Sequence, residues 1–372
     1  MEILMNFVYA ALRSVGTVSA ALILSTQAIS AGAPPSAKYV QVYAHRGGRS
    51  FSPENSMPAY KSTLRLGADW VDMDAALTKD GEVLITHDLV ANADIARGPD
   101  GKFIAANRQA LENLSGTERL AYNARYAIKN MTLAETQKFD IGRLNPNSAY
   151  AKFFPDQFSV DGTRMPPLRD VVRYVNTVSS DEVGFQIEMK TDPGADYSPD
   201  PEIFAGALYK IIKEENILDK AEIQAFDFRC LYELQKLDSR VKTAYLTSRD
   251  NEKGGVASFF SDDKNIAGAW TGGKLLKDYG TTIPQMVKAL GGYAWEPEDA
   301  ELTKESLDEA HKLGLKVVVW SWPEKLGTAF DPLLVAKMIS WGVDGIISDD
   351  PGRLSSMLAA RGQRVPDRYK LE

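Results

Sequence analysis

Two of the three histidines in this 372-residue chain, His45 and His87, each end an apolar run and stand beside charged residues. The first run, Val40-Gln41-Val42-Tyr43-Ala44, leads into His45-Arg46-Gly47-Gly48-Arg49 and then Pro53-Glu54-Asn55. The second, Val83-Leu84-Ile85-Thr86, leads into His87-Asp88. Between them Trp70–Leu77 carries Asp72 and Asp74, and a later run, Gly184–Met189, ends on Glu188 with Lys190 just beyond. Imidazoles exchange protons near neutral pH, and carboxylates hold hard cations. Together with a guanidinium, they are the parts that metal-assisted chemistry on an anionic substrate requires.

Spacing sharpens this. Asp72 and Asp74 are two residues apart, so on a strand both point to one face. Val71, Met73 and Ala75 then bury the other face, and two acids held inside a fold need a partner cation. Glu188 is the natural third ligand, with Lys190 on the same face. Oxygen donors without thiols or a histidine cluster favour Mg²⁺ or Ca²⁺ over Zn²⁺, so one such divalent cation is expected at Asp72, Asp74 and Glu188. A single strand-end imidazole is often only a satisfied structural residue; two of them flanking carboxylates point to an acid and a base. His311 instead reads as a residue of a helix's last turn, and Cys230 as a small buried hydrophobe.

Strands must deliver these residues to one place. Short apolar runs at 40–44, 70–77, 184–189, 221–225, 242–246, 293–295, 316–320 and 345–348 alternate with amphipathic segments at 57–66, 168–178, 202–215, 228–236, 303–312, 333–341 and 351–360. Repeated βα units of this kind build either an open doubly wound sheet or a closed barrel. His45, Thr86-His87, Glu188 with Lys190, and Ser321 all fall at strand ends, which converge only in a barrel. The expected fold is therefore an α/β TIM (β/α)8 barrel over residues 40–360. Residues 89–165 break the alternation and are far longer than an ordinary βα loop, which predicts an inserted lid or subdomain after the second strand. Leu111, Leu114, Leu120, Tyr122, Ile128, Leu133, Phe139, Phe153, Phe154 and Phe158 give it apolar surface to bury.

Composition sets the remaining bounds. With 44% hydrophobic and 25% charged residues the chain is ordinary globular material, and its net charge of −7 argues against a non-specific nucleic-acid binder. An anionic substrate must be met by a local basic pocket. Residues 1–33 have an apolar run around Leu22-Ile23-Leu24 and end in Ala31-Gly32-Ala33, the pattern of a signal peptide, which predicts a periplasmic or secreted protein. An uncleaved N-terminal anchor is the alternative. No later run approaches the ~20 apolar residues of a membrane span, so none is expected in the mature chain. One cysteine excludes an intramolecular disulfide.

The ordered set His45-Arg46-Gly47-Gly48, Pro53-Glu54-Asn55-Ser56, Gly67-Ala68-Asp69, Asp72-x-Asp74, Thr78-Lys79-Asp80-Gly81, His87-Asp88, Glu188-x-Lys190 and Gly342–Pro351 resembles the glycerophosphodiester phosphodiesterase family. The resemblance implies a TIM barrel that hydrolyses small-molecule glycerophosphodiesters to glycerol 3-phosphate and an alcohol. It implies His45 and His87 as the acid and base, Asp72, Asp74 and Glu188 as ligands of one divalent cation, and Arg46 and Lys190 facing the phosphate. Two positions depart from the family pattern. Asp72 stands where a glutamate is usual, and Trp320-Ser321-Trp322-Pro323 replaces a run that ends in an amide, adding an aromatic wall. Alternatives are a related barrel phospholipase acting on intact phosphoinositides or sphingolipids, and a catalytically silent binding protein on the same fold.

Overall fold

The computed structural model describes residues 39–248 and 264–371. Its sheet is built from β1 (Gln41–Ala44), β2 (Trp70–Leu77), β3 (Val83–Ile85), β4 (Gly184–Met189), β5 (Ala221–Ala225), β6 (Lys242–Thr247), β7 (Ala294–Pro297), β8 (Lys316–Val319) and β9 (Gly345–Ser348). Eight of these pair in parallel around a ring, β1-β2-β4-β5-β6-β7-β8-β9, which the β1–β9 pairing closes. Helices Met57–Leu66, Leu168–Ser179, Pro201–Glu214, Phe228–Leu237, Lys304–Lys312, Pro332–Trp341 and Pro351–Ala359 follow the strands as their amphipathic patterns predict. Several begin on a side chain that accepts an otherwise orphaned backbone N–H, as Ser56, Asp200, Asp227 and Asp331 do.

Strand alternation sorts the side chains. Val71, Met73, Phe185, Ile187, Ile223 and Val317 point outward and pack with helix residues such as Leu64, Val172, Leu208, Leu231 and Leu354 in the main core. Each fully buried side chain of this size contributes about 1.5–3 kcal/mol relative to exposure. Cys230 belongs to the same layer, and burial pushes its thiol up. The inward residues are largely polar. At the barrel floor the Lys316 ammonium lies 4.6 Å from the Trp70 ring centre and 2.7 Å from Glu222 Oε1, while the Tyr43 hydroxyl donates to Glu222 Oε2 at 3.0 Å. Trp70 stacks on Tyr43 with centroids 5.4 Å apart. Gly184 and Gly345 make room for these rings, because a Cβ on either would run into Trp70 or Tyr43 respectively.

One element runs against expectation. β3 is antiparallel to β2, with Ala75 opposite Ile85 and Leu77 opposite Val83. β1 is short and covers only Trp70 and Val71 on that edge of the eight-residue β2. The turn at Lys79-Asp80-Gly81 folds the chain back over the remaining edge, with Gly81 at φ +80. His87 therefore reaches the mouth by descending from above rather than by rising with a parallel strand. The Thr86 N–H donates to the Asp74 carbonyl at 2.9 Å, fixing the depth of that descent.

Residues 89–165 hold helices Arg108–Glu112, Gly116–Tyr126 and Leu133–Thr136. Ile95, Ile128, Met131, Phe139 and Ile141 form a small core that meets Ala76 and Leu84 of the hairpin. Not every apolar residue foreseen for that core is inside it: Phe158 is exposed, and so is Leu120, because Gly116–Tyr126 rides on the surface with no buried residue. His311 sits in the last turn of Lys304–Lys312, with Nε2 2.9 Å from Asp344 Oδ2. The signal-like segment 1–33 lies outside the described residues. No described helix is long and apolar enough to cross a membrane.

Candidate active site

His45, Arg46, Asp72, His87, Glu188 and Lys190 line one pocket at the C-terminal mouth of the barrel. Asp74 lies just behind this wall. The segment after β1 turns sharply, with Arg46 at φ +50, and so aims the Arg46 backbone N–H at Asp72 Oδ2, 3.0 Å away. The Arg46 guanidinium donates from Nη1 to Glu54 Oε1 at 2.9 Å and brings Nε to 3.3 Å from Asp74 Oδ2. Asn55, also at positive φ, donates to Asp74 Oδ2 at 2.7 Å and accepts the Asp74 backbone N–H. Lys190 bonds Glu188 Oε1 at 2.7 Å and stands 3.8 Å from Asp74 Oδ1.

The carboxylates differ sharply in charge balance. Burial would raise Asp74, but Arg46, His87 and Lys190 outweigh it and hold the group well below the usual carboxylate range. Burial and the Asp74 charge push Asp72 well above that range. Burial likewise lifts Glu188 to about 7, with Lys190 opposing and Asp74 assisting. Two buried acids thus lack enough nearby positive charge to ionise as readily as in water, and a divalent cation among such hard oxygen donors would supply it.

They are not arranged as a finished one. Among the described residues no three His, Cys, Asp or Glu side chains converge as a metal-binding group. The three expected ligands, Asp72, Asp74 and Glu188, each engage protein partners in this structure. Asp72 turns Oδ2 to the Arg46 N–H and Oδ1 to the Gln224 amide, which donates at 2.5 Å, and Lys190 stands between Glu188 and Asp74.

Each histidine has a carboxylate partner. His45 Nδ1 lies 2.6 Å from Asp349 Oδ1, and Arg49 clamps the same carboxylate from Nε at 2.6 Å and Nη2 at 3.3 Å. Burial lowers the His45 pKa; Asp349 opposes and Arg49 assists. His87 Nδ1 lies 3.3 Å from Asp88 Oδ1, which also meets Arg108 at 3.1 Å. Burial first, then Arg46 and Lys190, push His87 down to about 4. Both shifts favour the neutral imidazole.

Several members of this site carry no chemical role in the sequence reading. Glu54 and Asn55 are visible there only as polar residues after Pro53, and Asp349 as part of a strand-end run. Gln224 gives no local signal, since its role exists only once β5 faces β2 across the barrel. Tyr150, from the 89–165 segment, donates to Glu54 and accepts from Arg49 Nη1 at 2.7 Å. Phe226, Leu246, Trp320, Trp322 and Ile347 form the pocket's opposite wall.

Comparison with known proteins agrees with this geometry. The model of the glycerophosphoryl diester phosphodiesterase family matches residues 45–353. A glycerophosphodiester phosphodiesterase of Caldanaerobacter subterraneus subsp. tengcongensis is 25% identical over 322 residues, 86% of this chain and 98% of its own. A Silicibacter pomeroyi crystal structure assigned to the glycerophosphoryl diester phosphodiesterases is 26% identical, with TM-score 0.70 over 88% of this chain and 95% of its own. An Oleispira antarctica phosphodiesterase, solved with the product sn-glycerol-3-phosphate, shares the fold at TM-score 0.57 and 18% identity, over 86% of this chain and 97% of its own. With most of the chain matched by the family model and the matching motifs gathered at one barrel mouth, the chain belongs to the glycerophosphoryl diester phosphodiesterase family.

Proposed function

We propose that the protein hydrolyses glycerophosphodiesters to glycerol 3-phosphate and an alcohol, using His45 and His87 as the proton-transfer pair. The observation that carries this reading is the meeting of two half-buried, carboxylate-backed imidazoles with Arg46 and Lys190 in a single pocket. The cations answer the phosphodiester charge and the further charge that develops at phosphorus. His87, pushed toward its neutral form by burial and by Arg46 and Lys190, is suited to take the proton of the attacking hydroxyl. That oxygen, from water or from the substrate's own glycerol C2, bonds to phosphorus. His45, whose imidazolium Asp349 stabilises, gives a proton to the departing alkoxide oxygen as its bond to phosphorus breaks. A cyclic phosphate trapped in slow variants marks the C2 route, and its absence marks water.

A divalent cation, Ca²⁺ or Mg²⁺, fits the acidic pocket by charge and donor type; Asp74 and Glu188 would hold it, with Asp72 turned toward it from Arg46 and Gln224. When bound it would supply further neutralisation of the phosphate oxygens. The signal-like residues 1–33 support a periplasmic or secreted location.

The test is release of glycerol 3-phosphate from glycerophosphocholine and glycerophosphoethanolamine by purified protein, with Ca²⁺, Mg²⁺ or a chelator. Release that His45→Ala abolishes is expected. No release with any cation overturns the reading, and release only from intact phospholipids moves the substrate to the lipase class.

A further inference from the structure

The pocket has two unlike walls. On one side stand Arg46, Arg49, Lys190 and Arg108 with the two histidines; on the other, Phe226, Trp320 and Trp322 with Leu246 and Ile347. The aromatic rings meet edge to face. Phe226 and Trp320 have centroids 5.4 Å apart with planes at 83°, and Trp320 and Trp322 lie 5.1 Å apart at 76°. Rings set nearly at right angles form a corner of aromatic surface rather than a flat plate. Trp320 is the fixed part of that corner, since its Nε1–H donates to the Glu296 carbonyl at 3.0 Å and only 7% of the residue is exposed. Phe226 and Trp322 are half-buried.

This side also brings a carboxylate to the pocket. Glu324, exposed on the short helix Pro323–Leu326, lines the same pocket. The Lys325 ammonium lies 5.9 Å from the Trp322 ring centre, held there by Glu298 at 2.5 Å, so a cation already sits against this ring. An aromatic corner with a carboxylate at its rim suits a cation that carries its charge on methyl groups. Such a cation gains from ring faces and forfeits few hydrogen bonds to water. A primary ammonium does forfeit them, and this wall offers it little beyond the Ser321 hydroxyl and Glu324 in return. A fatty chain would use the rings but leave the carboxylate idle.

We infer that Phe226, Trp320, Trp322 and Glu324 form a subsite for a quaternary ammonium head group, so that choline diesters of glycerol phosphate are the preferred substrates. The inference rests on the phosphodiesterase reading above and adds the substrate's second half to it.

The experiment compares kcat/KM of the full chain for three diesters of glycerol phosphate: choline, its uncharged carbon isostere 3,3-dimethylbutanol, and ethanolamine. Choline is expected to exceed ethanolamine by about tenfold or more, with the isostere between them. Trp322→Leu should cut the choline-to-ethanolamine ratio by about tenfold, and Trp322→Phe should restore it to within about threefold. The ratio is internal to each variant and does not depend on how much of it is folded. A wild-type ratio near one, or a ratio that Trp322→Leu leaves unmoved, overturns the subsite while the phosphodiesterase reading stands. An isostere equal to choline reduces the corner to a plain apolar wall and overturns the cation assignment, as does a preference for acylated, lipid-like diesters. Failure to hydrolyse any of the three takes both readings down together.

Discussion

The barrel buries charge in two places, and the two are finished differently. At the floor, Lys316, Glu222 and Tyr43 close on one another, with the ammonium resting on Trp70, so the Glu222 charge has its answer within the protein. At the mouth, Asp72, Asp74 and Glu188 share Arg46 and Lys190, and the balance is uneven: Asp74 is held low while Asp72 and Glu188 are pushed up. Equally buried residue types do opposite work. A closed network holds the barrel together, whereas an unbalanced one stores an affinity for charge that arrives from outside.

The largest effect should come from His45 and His87, the proposed proton carriers of the mouth. His45→Ala or His87→Ala should lower kcat by about 10²–10⁴-fold while leaving the urea midpoint close to wild type. A comparable loss of stability would erase the distinction between the two regions.

At the floor the balance reverses. Lys316→Met leaves Glu222 buried without its cation, which should cost about 3–5 kcal/mol in urea unfolding, with kcat per folded molecule retained.

A finer test uses pH. Glu188 rises from an ordinary 4.5 to about 7 in the folded protein, so without a divalent cation its ionisation works against folding as pH climbs through that window. In chelator, Glu188→Gln should therefore gain stability on wild type between about pH 4.5 and 7, measured as the difference in thermal midpoints. Added Ca²⁺ or Mg²⁺ should shrink the gap. A constant difference across the window would mean that the mouth is as well balanced as the floor.

The smallest effect concerns the reach of the 89–165 segment into the mouth. Tyr150→Phe removes the hydroxyl shared by Glu54 and Arg49, which should cost about 1 kcal/mol of stability and raise KM a few-fold. An unchanged KM would confine that segment to covering the site.

How much of this could be read beforehand follows from physical range. Strands and helices of the ring were legible because periodicity and capping act over a few residues; Met57–Leu66 after Ser56 is an example. The site residues were legible where two chemical groups share a strand, as Asp72 and Asp74 do. The direction of β3 was not, since it depends on β1 being too short to cover β2, a property of the assembled sheet. Nor were the links from Asp349 to His45 or from Gln224 to Asp72, which join residues far apart in the chain that only barrel closure makes neighbours. Asp72 is the instructive case. Its carboxylate engages Arg46 and Gln224, a distribution fixed by packing rather than by residue type.

The antiparallel hairpin has a consequence for how the site is divided along the chain. Because β1, β2 and β3 are consecutive and β2 pairs with both of the others, His45, Arg46, Asp72, Asp74 and His87 travel in one uninterrupted run of chain, and Glu188 and Lys190 join from the adjacent β4. The two histidines and the mouth's charges occupy one arc of the ring. Phe226, Leu246 and Trp320 follow from β5, β6 and β8 on the opposite arc. Substitutions along the aromatic arc would therefore alter what the pocket admits without touching the run of chain that carries the two histidines.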